Sequence, residues 1–323
     1  MANFQDLVAV CRGRNIYIQT HNFPDPDAIG SAFGLQELLA HFGIPAQICY
    51  DGQIDKLSTS KMLDMFHITM FSSEEISEKL RDEDGIICVD SQKNAGNTTD
   101  FTGDEIASID HHPTYVKVPY LYSDIQIVGA CATLITEYYQ QQGVEPSKNV
   151  AAALLYGIKM DTLQFTRGVT RRDIQAFEFL FPKSDGRALA LLERNNIEFQ
   201  DLKAYGAAIE NVRLYGYVGF SRIPFACPDA MIAILSDFIL SLIEVEVAVL
   251  YCERKDGLKL SVRSERSEVN AGEVTHKALE GIGNGGGHAS MAGGLIPRKN
   301  LALLGNYPDD FLRDRFLEAM QGD

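Results

Sequence analysis

At 323 residues the chain is long enough for two domains, each with a core of its own. A hydrophobic fraction of 46% and a charged fraction of 23% are ordinary for a globular protein and exclude a disordered or fibrous class. The net charge of −15 repels a long nucleic-acid backbone, so genome-binding and filament-coating roles are not expected.

In chain order, Asn15 to Thr20 alternates like a buried strand and ends at His21. Apolar periodicity from Ile29 to Phe42 predicts a helix. Between them, His21-Asn22-Phe23-Pro24-Asp25-Pro26-Asp27 carries one imidazole and two carboxylates on a turn stiffened by two prolines. Such a nitrogen and oxygen set suits a hard or borderline divalent cation, at the strand edge where open α/β sheets place ligands. The competing reading is a helix start with Asp27 as N-cap. Ala46 to Tyr50 is a second strand, and Lys56 to Met65 and Glu74 to Leu80 read as helices. Gly85 to Asp90 and Glu105 to Asp110 are apolar strands stopped by an aspartate, the second followed at once by His111-His112-Pro113. Tyr120 to Ser123 reads as a strand, Gly129 to Gln142 and Ser147 to Lys159 as helices with Asp161-Thr162 just beyond, and Arg171 to Phe181 as a helix. This alternation predicts an α/β fold with a mostly parallel, doubly wound sheet covered on both faces.

The pattern changes near Pro182 to Gly186, and residues 184–205, with a helix from Arg187 to Arg194, read as a linker between domains at 1–183 and 206–323. In the smaller second domain, also α/β, Leu214 to Ile223 reads as a strand and Pro228 to Ile243 as a helix. Glu246 to Glu253 and Gly257 to Arg263 form a hairpin, and Asn270 to Leu279 a helix. A glycine-rich loop from Gly281 to His288, a short strand from Gly293 to Pro297 and an amphipathic helix from Asp309 to Met320 follow. Met1 to Arg14 has no signal-peptide core, and the longest apolar run, Ile232 to Val249, is interrupted by Asp237, Glu244 and Glu246. A cytoplasmic protein without a membrane partner is expected. The six scattered cysteines are expected to be buried hydrophobes rather than disulfides or zinc ligands.

Four places in the first half put acids or imidazoles at element ends: His21/Asp25/Asp27, Asp90, Asp110-His111-His112 and Asp161. In one parallel sheet they converge on one rim. So many ligands exceed the needs of one octahedral ion and fit two metals sharing a bridging carboxylate.

These motifs resemble the DHH phosphoesterase superfamily, whose Asp-His-His signature is here Asp110-His111-His112. Its first motif resembles His21 to Ser31, its second Val89-Asp90 and its fourth Asp161-Thr162. The second half resembles the DHHA1 domain, through Ser261-Val262-Arg263-Ser264 and Gly285-Gly286-Gly287-His288. The resemblance implies a first metal on His21, Asp25 and Asp90, and a second on Asp27, Asp90, His111 and Asp161. Manganese is the expected ion, with magnesium or cobalt as alternatives. It further implies hydrolysis of a phosphoester by a metal-activated water, with His112 facing the phosphate and Asp110 orienting a histidine. Arg263, Ser264, Gly285, Gly286, Gly287 and His288 would bind substrate in a cleft between the domains. Two departures stand out: Asn284 and Pro26 occupy places often held by glycine.

Within the superfamily, the pattern is most similar to nanoRNases and 3′-phosphoadenosine-5′-phosphate (pAp) phosphatases. RecJ-type exonucleases carry an additional nucleic-acid-binding domain. Family II pyrophosphatases carry a different second domain, and cyclic-di-AMP phosphodiesterases usually carry membrane and sensor segments. The expected partners are short oligoribonucleotides, linear dinucleotides or pAp, not long nucleic acid, and a homodimer is compatible with the family. The alternatives are a non-catalytic nucleotide-binding or regulatory protein, and an inorganic or polyphosphate-type phosphohydrolase. Arg167 and Arg172 read as a solvated helix face or as nucleotide contacts.

Overall fold

The computed structural model describes residues 2–54, 57–114, 116–194 and 197–321. The chain divides into two units, Met1–Asn196 and Ile197–Asp323. In the first, the elements are α1 (Phe4–Cys11), β1 (Ile16–Gln19), α2 (Pro26–His41), β2 (Ala46–Tyr50), α3 (Leu57–Phe66), β3 (Met70–Ser72) and α4 (Ser73–Ile76). They continue with β4 (Gly85–Val89), β5 (Asp104–Asp110), β6 (Tyr122–Ile125), α5 (Cys131–Gln142), α6 (Lys148–Asp161), α7 (Arg171–Leu180) and α8 (Gly186–Glu193).

The six strands form one all-parallel sheet in the order β3-β2-β1-β4-β5-β6. β1 and β4 are buried at every position, as their β-branched runs require of central parallel strands. Alternation along β1 sends Ile16 and Ile18 into the main core, while Tyr17 joins Ile76, Leu80 and Phe101 in a separate cluster. α2 and α6 pack closely because Gly30 has no side chain. A Cβ there would stand 2.7 Å from the Ala153 carbonyl oxygen. That approach sets the N-terminus of α2 beside the C-terminal half of α6. Gly157 of α6 is so near that its Cβ would come within 3.0 Å of the Asp27 carboxylate.

Several expectations are corrected. α1 carries buried Phe4, Leu7, Val8 and Cys11 at helical spacing, a signal short enough to pass unread. β3 is an unexpected three-residue edge strand. α4 stops at Ile76 instead of Leu80, β6 runs Tyr122–Ile125 instead of Tyr120 to Ser123, and the expected helix start at Lys56 lies outside the described residues. α8 places Leu189 and Leu192 in the core of the first unit.

In the second unit, α9 (Leu202–Asn211), β7 (Arg213–Tyr215), β8 (Val218–Ile223), α10 (Asp229–Leu240), β9 (Val247–Glu253) and β10 (Gly257–Ser264) come first. α11 (Ala271–Leu279), β11 (Asn284–Gly287), β12 (Met291–Pro297) and α12 (Pro308–Gln321) complete it. The strand order is β11-β12-β10-β9-β8-β7, with β8 and β9 parallel and the other pairs antiparallel. Leu214 to Ile223, expected as one strand, is a tight hairpin of β7 and β8. The glycine-rich segment, expected as a loop, contributes an edge strand instead. Gly285 pairs with Gly294, and a Cβ at Gly285 would meet the Thr275 methyl of α11 at 2.6 Å. Helix packing across the sheet therefore requires glycine at that position. Among the described residues all six cysteines are buried. No helix among the described residues is long and apolar enough to cross a membrane.

Candidate metal centre

The strand order of the first sheet reverses between β1 and β4. His21 follows β1 and Asp90 follows β4, so both stand at the switch point of a doubly wound sheet. Asp90 adopts φ 55°, a left-handed conformation that aspartate tolerates better than most residues, and it is 2% exposed. His111 and His112 leave the end of the neighbouring β5, and Asp161 is the last residue of α6.

The two acids of the opening turn have different structural duties. Asp25, not Asp27, caps α2: its Oδ1 accepts from the Asp27 and Ala28 amides at 2.9 and 3.1 Å. Pro26, fixed at the first helical position, favours that arrangement. Asp27 is buried and reaches across to α5, whose own N-cap, Ala130, has no side-chain hydrogen bond to offer. Its Oδ2 accepts from the Cys131 amide at 2.7 Å and its Oδ1 from the Ala132 amide at 2.9 Å. Asp27 is thus a helix cap supplied by a different helix.

Around Asp90 the side chains form two groups. On one side, His21 Nε2 lies 3.6 Å from Asp90 Oδ2 and 3.9 Å from Asp25 Oδ1. On the other, His111 Nε2 lies 3.2 Å from Asp90 Oδ1, 3.3 Å from Asp161 Oδ2 and 3.9 Å from Asp27 Oδ2. Ligand atoms within His21/Asp25/Asp90, and within Asp27/His111/Asp161, all lie within 4.8 Å of one another. Each ring is aimed by its other nitrogen, His21 Nδ1 against the Asn22 carbonyl at 2.8 Å and His111 Nδ1 against the Val128 carbonyl at 3.1 Å.

Electrostatics without a cation are unfavourable here. Burial, reinforced by the surrounding acids, raises Asp27 well above the usual carboxylate range; it also raises Asp90, against the pull of His111. Asp161 is pushed up to about 6 by burial, opposed by His111 and reinforced by Asp25 and Asp90. Burial disfavours protonation of His21 and His111, yet the carboxylates override it and raise them to about 9 and about 11. Divalent cations would supply the positive charge that these raised values demand of protons. Asp90 Oδ1 and His111 Nε2 are buried 3.2 Å apart without hydrogen-bond geometry between them, an arrangement that a metal coordinated by both would satisfy. The donor set therefore fits divalent ions of the hard to borderline class.

His112 is half exposed, with Nδ1 2.9 Å from Asp110 Oδ1. Asp110 also accepts from the His111 and His112 amides, at 2.8 and 3.2 Å. Gln92, which the motifs did not single out, donates to Asp110 Oδ2 at 2.6 Å and to the His112 carbonyl at 3.2 Å. Asp173 of α7 was missed as well. Fully buried, it accepts from the Gly129 amide at 3.0 Å, the Thr133 hydroxyl at 2.6 Å, and the Thr170 amide and hydroxyl at 2.6 and 2.7 Å. It thereby fixes the segment that carries both the Val128 carbonyl and the capped end of α5. Thr170-x-x-Asp173 has capping-box spacing, the one sequence signal that could have found it. Arg172 is committed to Glu137 by two contacts of 2.6 Å, and Arg167 donates to the Asp161 carbonyl at 2.9 Å.

In the second unit Arg263 is engaged with Asp237, Nε to Oδ1 at 2.6 Å, and its side chain is largely covered. Ser264 is buried and donates to the Arg266 carbonyl at 3.3 Å. Gly285, Gly286 and Gly287 lie along β11 and His288 is exposed beyond its end. Arg263 pairs with Met291, and Gly287 with Ala292, so Arg263 and the glycine strand share one end of the sheet with β12 between them.

Residues 15–158 match the DHH family, N-terminal domain, and residues 215–313 match the DHHA1 domain. The chain belongs to the DHH family. It is 30% identical over 289 residues to an uncharacterized protein of Methanocaldococcus jannaschii, a match covering 87% of this chain and 58% of that one. The chain thus spans little more than half of that relative's length. It is 28% identical over 321 residues to the bifunctional oligoribonuclease and PAP phosphatase NrnA of Thermus thermophilus, covering 95% of this chain and 89% of the other. Among solved structures, an exopolyphosphatase-related protein from Bacteroides fragilis shares the fold with a TM-score of 0.78 at 20% identity, over 98% of this chain and 94% of that one.

Proposed function

We propose that this DHH-family protein is a metal-dependent phosphoesterase that hydrolyses small nucleotide substrates: short oligoribonucleotides, linear dinucleotides or pAp. The observation that carries the reading is the placement of Asp90, one carboxylate oxygen toward the His21/Asp25 group and the other toward the His111/Asp161 group. His21, Asp25 and Asp90 would hold one divalent ion, and Asp27, Asp90, His111 and Asp161 a second. Manganese is the favoured ion for this mixed nitrogen and oxygen set, with magnesium or cobalt as substitutes. When bound, the pair supplies the charge that makes a water nucleophilic near neutral pH and offsets that of the phosphate.

The chain's own residues do the rest. Asp27 and Asp90, both buried and Asp27 held by two amides of α5, would keep the two groups in register during turnover. His112 has Nδ1 committed to Asp110, so its Nε2 is the atom to face the phosphate and deliver a proton to the departing oxygen. Water adds across the P–O bond, its hydroxyl going to phosphorus and its proton balance closing on the leaving group. Residues 1–183, with α8 packed on their core, would form the catalytic part and 206–323 the substrate-binding part, 184–205 joining them. In the last, Arg263, Ser264, Gly285, Gly286, Gly287 and His288 would hold the substrate's far phosphate or base. Substrate size is supported by the similarity to NrnA over nearly the whole of both chains and by the acidic surface.

The test is a panel of pAp, di- to pentaribonucleotides and inorganic pyrophosphate with manganese, alongside manganese titration by calorimetry. Turnover of the short nucleotides with about two ions bound per chain is expected. Tight metal binding with no nucleotide turned over would overturn the substrate reading. Absence of metal binding would overturn the whole.

A further inference from the structure

Phe23 is placed in a way that its own turn does not explain. It stands two residues after His21 and two before Asp25, in the middle of the candidate metal turn. Its backbone is left-handed, φ 58°, which a bulky side chain adopts only under constraint. Its side chain is not there to fill a core, because the residue is 63% exposed. Asparagine or glycine would satisfy the same turn with less strain.

The constraint comes from several directions. The Phe23 amide donates to the Asp51 carbonyl at 3.0 Å, and the Asn22 amide to the Asn97 carbonyl at 2.7 Å. The Asn22 side chain donates to the Thr99 hydroxyl at 3.0 Å and accepts from the Thr99 amide at 3.1 Å. Thr99 in turn donates to Asp51 at 2.5 Å. The ring rests against Gly52, where a Cβ would come within 2.8 Å of two ring carbons. A missing side chain below and a pinned backbone behind leave a rigid aromatic surface open to solvent, flanked in the chain by two metal-binding candidates.

We propose that Phe23 is the base-stacking platform of this site, a specificity-determining residue that ranks substrates with an aromatic base above those without one. A phosphate bound to an ion on His21 and Asp25 would carry its nucleoside over the neighbouring ring. Stacking needs only a π-face, so any base would be accepted, which suits a site for short nucleotides of mixed sequence. The inference rests on the nucleotide reading above and deepens it: Phe23 is the feature that would separate nucleotides from inorganic phosphates as substrates.

The test compares wild type, Phe23→Asn, Phe23→Ala and Phe23→Trp on a diribonucleotide and on the same dinucleotide with the leading base replaced by hydrogen. Asparagine tolerates the left-handed backbone, so Phe23→Asn keeps the turn and guards against misfolding. For both Phe23→Asn and Phe23→Ala, KM for the diribonucleotide should rise roughly tenfold or more, with KM for the base-free analogue unchanged. The chain contains no tryptophan, so Phe23→Trp installs a single reporter. Its fluorescence should be quenched by the diribonucleotide and not by the base-free analogue, with KM preserved. Wild-type turnover of the diribonucleotide combined with an unchanged KM in Phe23→Asn overturns the stacking role and leaves the proposed function standing. No wild-type turnover of any nucleotide, with inorganic pyrophosphate cleaved instead, removes both.

Discussion

Replacing Asp173 with alanine tests whether the metal centre is held from behind. The carboxylate lies fully buried and accepts from two backbone amides, Gly129 and Thr170, and from the hydroxyls of Thr133 and Thr170. Hydroxyls can rotate toward new partners; amides cannot. Alanine therefore strands the buried Gly129 amide, at about 1–3 kcal/mol, and the part-buried Thr170 amide at the low end of that range, or about 3 kcal/mol together. For a unit of this size, each kcal/mol lowers the melting temperature by about 2–4 °C, so a fall of about 6–12 °C is expected. Circular dichroism melts in EDTA measure it free of any metal contribution. The second readout is manganese affinity. Gly129 sits between Val128, whose carbonyl aims His111, and the start of α5, whose amides hold Asp27. Releasing this segment should weaken manganese binding by about 10–100-fold by calorimetry. Asp173→Asn, which keeps one oxygen, should fall between wild type and alanine in both measurements. A melt within 2 °C of wild type together with unaltered manganese binding would refute the account of Asp173 as the brace of this site.

Asp90→Asn should reduce kcat by roughly a hundredfold or more, since it weakens the one carboxylate facing both groups. Manganese at about 100 times its Kd should stabilise the wild-type protein by about 2.7 kcal/mol, and EDTA should reverse the shift. A melting curve indifferent to both would exclude metal binding at the folded site. Gly30→Ala pushes a Cβ to 2.7 Å from the Ala153 carbonyl oxygen and should cost about 1–3 kcal/mol in denaturant unfolding. A neutral result would mean that α2 and α6 are not in the close contact that positions Asp27.

The central strands were legible because their burial is written as apolar runs, Gly85 to Val89 unbroken and Ile106 to Ile109 broken only by Ser108, each stopped by a carboxylate. Helical spacing made α2, α5 and α6 equally visible. Elements whose signal is short or whose composition misleads were harder. β11 is nearly all glycine, and only pairing with β12 and the pressure of Thr275 from α11 make it a strand. β3 is three residues long and exists because β2 offers it an edge. Local grammar could not divide the labour of Asp25 and Asp27 either, since both are good N-caps. Pro26 and the uncapped start of α5, more than a hundred residues away in sequence, decide it.

Sequence alone determined the inventory of the site: which residue types lie at strand and helix ends, in what order, and hence the family and the kind of ion they suit. It also determined the alternation of strands and helices that makes a parallel sheet. Tertiary structure decided how that inventory is used. Strand order placed β1 beside β4, bringing His21 to Asp90; the close packing of α2 on α6 brought Asp27 to Asp161. Asp173, Gln92 and the strained Phe23 became visible only there, because a hydrogen bond to a distant amide or a ring resting on a distant glycine leaves no periodic trace in the chain. Side-chain chemistry is a local property, whereas its burial, its partners and its charge state are set by residues that are remote until the chain folds.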